Sequence, residues 1–211
     1  MIMKFLYFLF CAFATVIFSG CLSPRTDRTR FYLLSTPPPA QSAAVVEGDK
    51  VFLAGLRMTS VEYLRTKQML VELGSNQLRL SEENVWEETP QAGFARVMAG
   101  RFAQQLPDCQ LTPLPSANAN SPELVLEVEL LSMQGRLKPA SEAEVSAEVR
   151  ILDAKSHLLE RDELRQTSPW SPTAEPGGYP ALAAAESRAA AELADAIAEK
   201  VLEWHRKIAG Q

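Results

Sequence analysis

From Phe5 to Phe18 the chain is almost wholly apolar for fourteen residues, and Lys4 is the only charge in the first twenty. A bilayer-spanning helix needs about 20 apolar residues. Fourteen after one basic residue have the form of a secretory signal peptide core. Beyond it the pattern changes. Leu22 to Arg30 is polar and without period, which predicts a tether. Phe31-Tyr32-Leu33-Leu34 reads as a short strand, closed off by Thr36-Pro37-Pro38-Pro39, because proline has no amide to donate. Lys50 to Met58 is apolar on both faces, as in a strand covered on both sides. Gln68–Leu73 and Gln77–Leu80 flank Gly74-Ser75-Asn76, a hairpin signature. Thr89-Pro90 marks a helix start, and Phe94, Val97, Met98, Phe102 and Leu106 lie on one face of a helix spanning 90–106. After a loop over 107–122, with a short strand at Gln110–Thr112, Leu124 to Leu131 is strand-like. Ala143, Val145, Ala147, Val149 and Ile151 then alternate with Glu142, Glu144, Ser146, Glu148 and Arg150. Period two with a charged outer face predicts a half-solvated antiparallel strand. Asp153 to His157 is its turn and Leu158 to Thr167 its return. A Pro/Gly loop from Trp170 to Gly178 leads into a helix over 179–208. Its apolar stripe is Leu182, Ala185, Ala189, Leu193, Ile197, Val201, Trp204 and Ile208, with Glu186, Arg188, Glu192, Asp195, Glu199 and Glu203 off it. The order predicts an α+β fold: a single domain with a mixed, mostly antiparallel β-sheet packed with two main helices.

Composition sharpens this picture at the cysteines. The 211 residues carry a net charge of −5, with three cysteines and two histidines. That charge is too mild for a nucleic-acid binder, three cysteines cannot build a disulfide scaffold, and two distant histidines argue against a histidine metal site. Phe18-Ser19-Gly20-Cys21 has the form of a bacterial lipobox: an apolar residue, two small ones, then cysteine. The small residues let a peptidase cleft accept extended backbone, and the cysteine thiol accepts a diacylglyceryl group. This predicts residues 1–20 as a lipoprotein signal peptide, Cys21 as the lipidation site, 21–30 as tether and 31–211 as the folded domain. Removing residues 1–20 takes away Lys4 and leaves 191 residues at net charge −6. Leu22, followed by Ser23, stands where aspartate retains sorted bacterial lipoproteins in the inner membrane, and by that resemblance it implies export to the outer membrane. Cys11 leaves with the signal peptide and Cys21 is acylated, so Cys109 alone remains a thiol, expected as a small buried hydrophobe.

Motifs that carry chemistry are absent from the sequence: no P-loop, no dinucleotide-binding glycine fingerprint, no HExxH and no G-x-S-x-G elbow. Glu82-Glu83 and Glu87-Glu88 flank Trp86 and read as a solvated turn. His157 in a hairpin turn and His205 near a helix end read as surface residues. No catalytic, cofactor or metal residue is assigned. Tyr63, Trp86, Trp170 and Tyr179 fall in or beside loops, where amphipathic rings serve either partner or lipid contact or anchoring at the sheet ends.

The order of landmarks carries a resemblance. The lipobox is followed by Phe31-Tyr32-Leu33-Leu34, then Tyr63-Leu64-Arg65, Gln68-Met69-Leu70-Val71, Asn76-Gln77-Leu78, Trp86-Glu87-Glu88, Tyr179-Pro180-Ala181-Leu182 and Ser187. This resembles the PqiC family, the auxiliary lipoprotein components of ABC-type or MCE-type envelope transport systems. Two positions depart from it: Glu62 stands where a proline is common, and Glu87 follows Trp86 directly. The resemblance implies a periplasm-facing outer-membrane lipoprotein, held by acyl chains, that maintains envelope integrity. Its implied partners are an MCE-domain channel protein and its inner-membrane permease, and family members can form a homo-oligomeric ring. It implies no enzyme and no nucleic acid. The alternatives are a lipoprotein that itself binds and carries lipid, and an envelope hydrolase with a site built from distant residues.

Overall fold

One long strand organises the sheet. In a computed structural model, which describes residues 28–35, 52–74, 76–115, 122–173 and 178–209, the chain forms eight strands in one sheet. These are β1 (Arg30–Tyr32), β2 (Phe52–Ser60), β3 (Gln68–Gly74), β4 (Gln77–Trp86), β5 (Cys109–Pro113), β6 (Leu124–Arg136), β7 (Glu142–Asp153) and β8 (Leu158–Pro169). The helices are α1 (Pro90–Gln105) and α2 (Tyr179–Ala209), with a 3-10 turn at Glu62–Arg65. The signal-peptide segment, Cys21, Leu22, Ser23 and most of the tether lie outside the described residues.

Strand β6 pairs with β7 along one flank, antiparallel from Leu124↔Asp153 to Arg136↔Glu142. Along the other flank it serves two strands in succession, both parallel to it. Ala54–Ser60 of β2 lie beside Leu124–Leu130, and Val71–Glu72 of β3 beside Gly135–Arg136. The sheet therefore forks: β5 continues it from β2, and β4 then β1 continue it from β3. Ladders β1–β4, β2–β5, β2–β6 and β3–β6 are parallel. The longest ladders, β6–β7 and β7–β8, are antiparallel and give the sheet its mostly antiparallel character.

Both helices cover one face. Helix α1 starts where Thr89-Pro90 predicts, with Thr89 Oγ1 accepting from the Ala92 amide at 3.3 Å. It buries Phe94, Val97, Met98 and Phe102, each fully. Helix α2 buries Leu182, Ala185, Ala189, Leu193, Ile197 and Val201 against Ala143, Val145, Ala147, Val149 and Ile151 of the β7 face. Fully burying a Leu, Ile or Phe side chain stabilises by about 1.5–3 kcal/mol, so this stripe supplies most of the hold of α2. The alanines on both sides permit close approach. At Gly135 a Cβ would meet Leu182 Cδ1 at 2.9 Å and Trp170 Cζ2 at 3.0 Å, so the backbone of β6 lies directly under the start of α2. Arg101 of α1 clasps Asp195 of α2 through two 2.5 Å bonds, and Lys200 of α2 reaches Glu160 at 2.6 Å and Asp162 at 2.9 Å on β8.

Several expectations need correcting. The stripe fades after Val201: Trp204 is only partly buried, donating to Glu160, and Ile208 is exposed. Glu186 is not an outward charge but is completely buried. His205 is not a free surface ring; it stacks on Phe52 with centroids 3.8 Å apart. Glu82 and Glu83 belong to β4 rather than to a turn. The alternation there breaks because Ser81 and Asn84 both turn inward at a bulge, joined by Asn84 Nδ2 donating to Ser81 Oγ at 2.9 Å.

Candidate functional site

The face of the sheet away from the helices carries the chain's densest polar chemistry. Strands β2, β6, β7 and β8 turn Arg57, Glu127, Arg150, Glu148 and Arg161 onto it, following the period of two. Their ion pairs form a row across four strands: Arg57–Glu127 at 2.7 Å, Glu127–Arg150 at 3.4 Å, Arg150–Glu148 at 3.5 Å and Glu148–Arg161 at 2.6 Å. Such exposed pairs contribute about 0–1 kcal/mol each, so the row acts through pattern more than stability.

At the fork the network is more enclosed. Arg136 sits between Glu144 at 2.9 Å, Glu72 at 3.1 Å and Glu142 at 3.4 Å. Burial acts to lower its pKa, but the charges of Glu144 and Glu72 outweigh it and raise the value, so the guanidinium is fixed as a cation. Glu144 also pairs with Arg165 and accepts from Ser132 Oγ at 3.0 Å, and Ser132 meets Ser146 at 2.7 Å. Gln134 donates to Glu72 at 3.1 Å, while its buried Oε1 has no protein partner.

Tyr63 occupies the fork itself. Where β2 gives way to β3, β6 has one residue more than β7 can match, at Leu131. A bulged residue falls out of the ladder. The 3-10 turn Glu62–Arg65 fills that gap: the Val61 amide donates to Leu130 O at 3.1 Å, and Tyr63 Oη donates to Leu131 O at 2.7 Å. Burial, then the negative charges of Glu144 and Glu72, push the phenol pKa up. The residue remains 39% exposed.

The other three aromatic candidates sit deeper and apart from it. Trp86 is buried at the end of β4. Trp170 is partly buried and donates to Arg136 O at 3.4 Å. Tyr179, the first residue of α2, is partly buried against the core. The structure does not gather the four into one patch, and Tyr63 presents the most ring to solvent.

Two features were invisible to pattern. Between α1 and the β2–β5 edge runs an apolar groove of about 340 Å³, lined by Leu56, Met58, Ala95, Ala99, Leu111 and Leu114. Its neighbour Arg96 is engaged by Glu88 at 2.5 Å and by Leu34 O at 3.0 Å. Groove residues come from three segments far apart in the chain, so no local spacing announces them. The second is Glu186, whose two carboxylate oxygens have no protein partner. Burial raises its pKa well above the ordinary value and so favours the uncharged acid. Cys109 is buried, as expected, and burial pushes its thiol up to about 12. Among the described residues no group of three His, Cys, Asp or Glu could hold a metal ion, and no helix is long and apolar enough to cross a membrane.

The chain is a one-domain α+β scaffold with two helices on one sheet face and an ion-paired open face. Residues 32–198 match the family of ABC-type transport auxiliary lipoprotein components, and the chain belongs to that family. Protein XCC0632 from Xanthomonas campestris, a DUF330 member, shares the fold at 12% identity, with a TM-score of 0.69 over 86% of this chain and 100% of its own. An uncharacterized protein of known structure does so at 13% identity, with a TM-score of 0.63 over 82% of this chain and 98% of its own. No curated protein matches the sequence.

Proposed function

We propose that this chain is the auxiliary lipoprotein of an MCE/ABC-type intermembrane lipid transport system, acylated at Cys21 and anchored in the outer membrane facing the periplasm. The family match over residues 32–198 carries the reading, since it makes the chain a transport auxiliary component of lipoprotein type. The lipobox Phe18-Ser19-Gly20-Cys21, with Leu22 and Ser23 after it, supports acylation and outer-membrane sorting. Several acyl chains, at about 0.8 kcal/mol per buried methylene, hold a protein to a bilayer without any spanning helix.

In this reading the domain is a receiver rather than a catalyst. The acylated end fixes it at the membrane, and the open sheet face, with Tyr63 at its fork, meets the periplasmic end of an MCE-domain channel rising from its permease. The alternating Arg and Glu row favours a partner with the complementary alternation, because mismatched like charges cost more than matched ones gain. Gentle solubilisation and pull-down of the tagged protein should recover an MCE-domain protein, and deletion should sensitise the envelope to detergent. A pull-down lacking any MCE-domain protein would count against the assignment.

The groove beside α1 supports a second reading, in which the lipoprotein itself holds lipid. Its lining is apolar and its volume falls in the range of small-ligand sites. Native mass spectrometry of the protein freed of its anchor separates the two: bound phospholipid favours the carrier, bare protein the receiver.

A further inference from the structure

The open sheet face changes character at its β1–β4 end. There the alternation presents Leu78 and Leu80 outward, since they pair with Glu72 and Leu70, and Glu72 faces the Arg136 network. Val85 pairs with Gln68 two positions along and takes the same side. Phe31 lies beside Val85 in the parallel β1–β4 ladder, and Leu33 is two residues further on the same side. Tyr32 and Trp86, between them in sequence, pack into the core. The result is a two-strand stripe of large side chains left in water: Phe31 is 64% exposed, Leu33 56%, Leu80 45% and Leu78 41%. At about 3.4 Å per residue it is roughly 20 Å long. Scattered exposed leucines need no account, but four large apolar side chains on two neighbouring strands at a sheet edge do, even with the exposed Glu82-Glu83 bulge between the two pairs.

We propose that this stripe is a membrane-seating surface, which lies against the phospholipid bilayer carrying the acyl anchor. The proposal rests on the acylation reading above. Covalent reach selects the occupant. Cys21 precedes Arg28 by seven residues, which span at most about 25 Å even fully extended. The β1 edge is thus the part of the described domain the anchor must hold near the bilayer. Phenylalanine and leucine are also side chains that enter the headgroup–acyl boundary. The charges alongside are mixed: Arg28, Arg30 and Arg79 stand with Glu82 and Glu83. Apolar contact therefore carries the seating, and it is insensitive to salt.

The test uses acylated mature protein in vesicles of phosphatidylethanolamine and phosphatidylglycerol. An environment-sensitive dye is placed at Leu80→Cys or, as control, at Leu158→Cys. Leu158 is 55% exposed at the start of β8, the opposite edge of the sheet. Cys109 is buried and leaves the labelling to the introduced thiol. The dye at position 80 should shift to the blue and lose emission to a nitroxide-labelled phospholipid, at high salt as at low. The dye at 158 should do neither. Phe31→Ser with Leu33→Ser should return the position-80 dye towards the water-exposed signal. A dye at 80 as wet as that at 158, on protein retained by its anchor, overturns the proposal. A blue shift without lipid quenching also overturns it, because a protein then covers the stripe. Mass spectrometry of the N-terminal peptide keeps the readings apart: unacylated Cys21 defeats the anchor reading, and acylated but unseated protein defeats this one alone.

Discussion

Glu186 sits one helical turn beyond Leu182, in the middle of the α2 face that packs on the sheet. Its surroundings favour the neutral acid, because the charged form would lose its hydration with no cation in exchange. The sign of the consequence is fixed. In the unfolded chain the group ionises near its ordinary value of about 4.3, while in the folded chain it keeps its proton to higher pH. Its contribution to stability is therefore complete below that ordinary value and is lost as pH rises towards the folded one. Glu186→Gln should flatten that decline, so thermal melts at pH 5 and pH 8 should differ less in the variant than in the parent. An unchanged pH dependence would mean that the carboxyl finds a cation. Tyr63→Phe tests the neighbouring question of the fork. Losing the bond to Leu131 O should cost about 0.5–1 kcal/mol in urea unfolding, at the low end for a hydrogen bond because water can reach the carbonyl. If Tyr63 is also a contact, its loss should weaken recovery of the MCE-domain partner by more than that stability change explains. Spacing alone puts position 186 near the stripe. What misleads is the assumption that glutamate faces water, and only the packed core reveals otherwise.

At the scale of elements, legibility followed local period. Strands β7 and β8 and helix α1 could be read because a period of two or 3.6 is written into neighbouring residues. The far half of β4 could not, since the Ser81–Asn84 bulge breaks the alternation. Nor could the fork: that β2 and β3 both pair with β6 depends on residues some 60–70 positions away. The Tyr63-Leu64-Arg65 landmark acquires a physical meaning here, as the turn that carries the chain from one ladder to the next across the bulge in β6. Leu64 is fully buried beneath it. The tight contact of β6 with α2 gives a test. Gly135→Ala should destabilise by about 1–3 kcal/mol, because the indole of Trp170 cannot flex away as Leu182 can. The urea midpoint should fall with an unchanged slope. A midpoint equal to the parent's would show that the helix start gives way freely.

For the whole molecule, the proposed anchor segment can be read along the chain, whereas the apolar stripe cannot. The lipobox is a contiguous string of residues, whereas the apolar stripe is assembled from two strands about fifty residues apart. Cys21→Ala should abolish acylation and accumulate unprocessed precursor, visible as a mass increase by the signal segment and the loss of palmitate labelling. Normal processing and membrane retention would reject the lipobox. The landmark residues near the start of the domain also hold it together. Tyr32 Oη donates to Asn84 in β4 at 3.1 Å, Leu34 O accepts from Arg96 in α1 at 3.0 Å, and the Ser35 amide donates to Ser187 Oγ in α2 at 3.0 Å. Within four residues the entering chain is thus fastened to the sheet and to each helix. A body leashed at one end feels every thermal tug and every pull of a docked partner through that end. Here the attachments come in series from the point of entry, first the sheet at Arg30–Tyr32, then α1 at Leu34 and α2 at Ser35. A pull from the proposed anchor meets the three-residue β1 ladder first, and the guanidinium and serine bonds on the helices stand behind it, so β1 can peel away without the fold beginning to open.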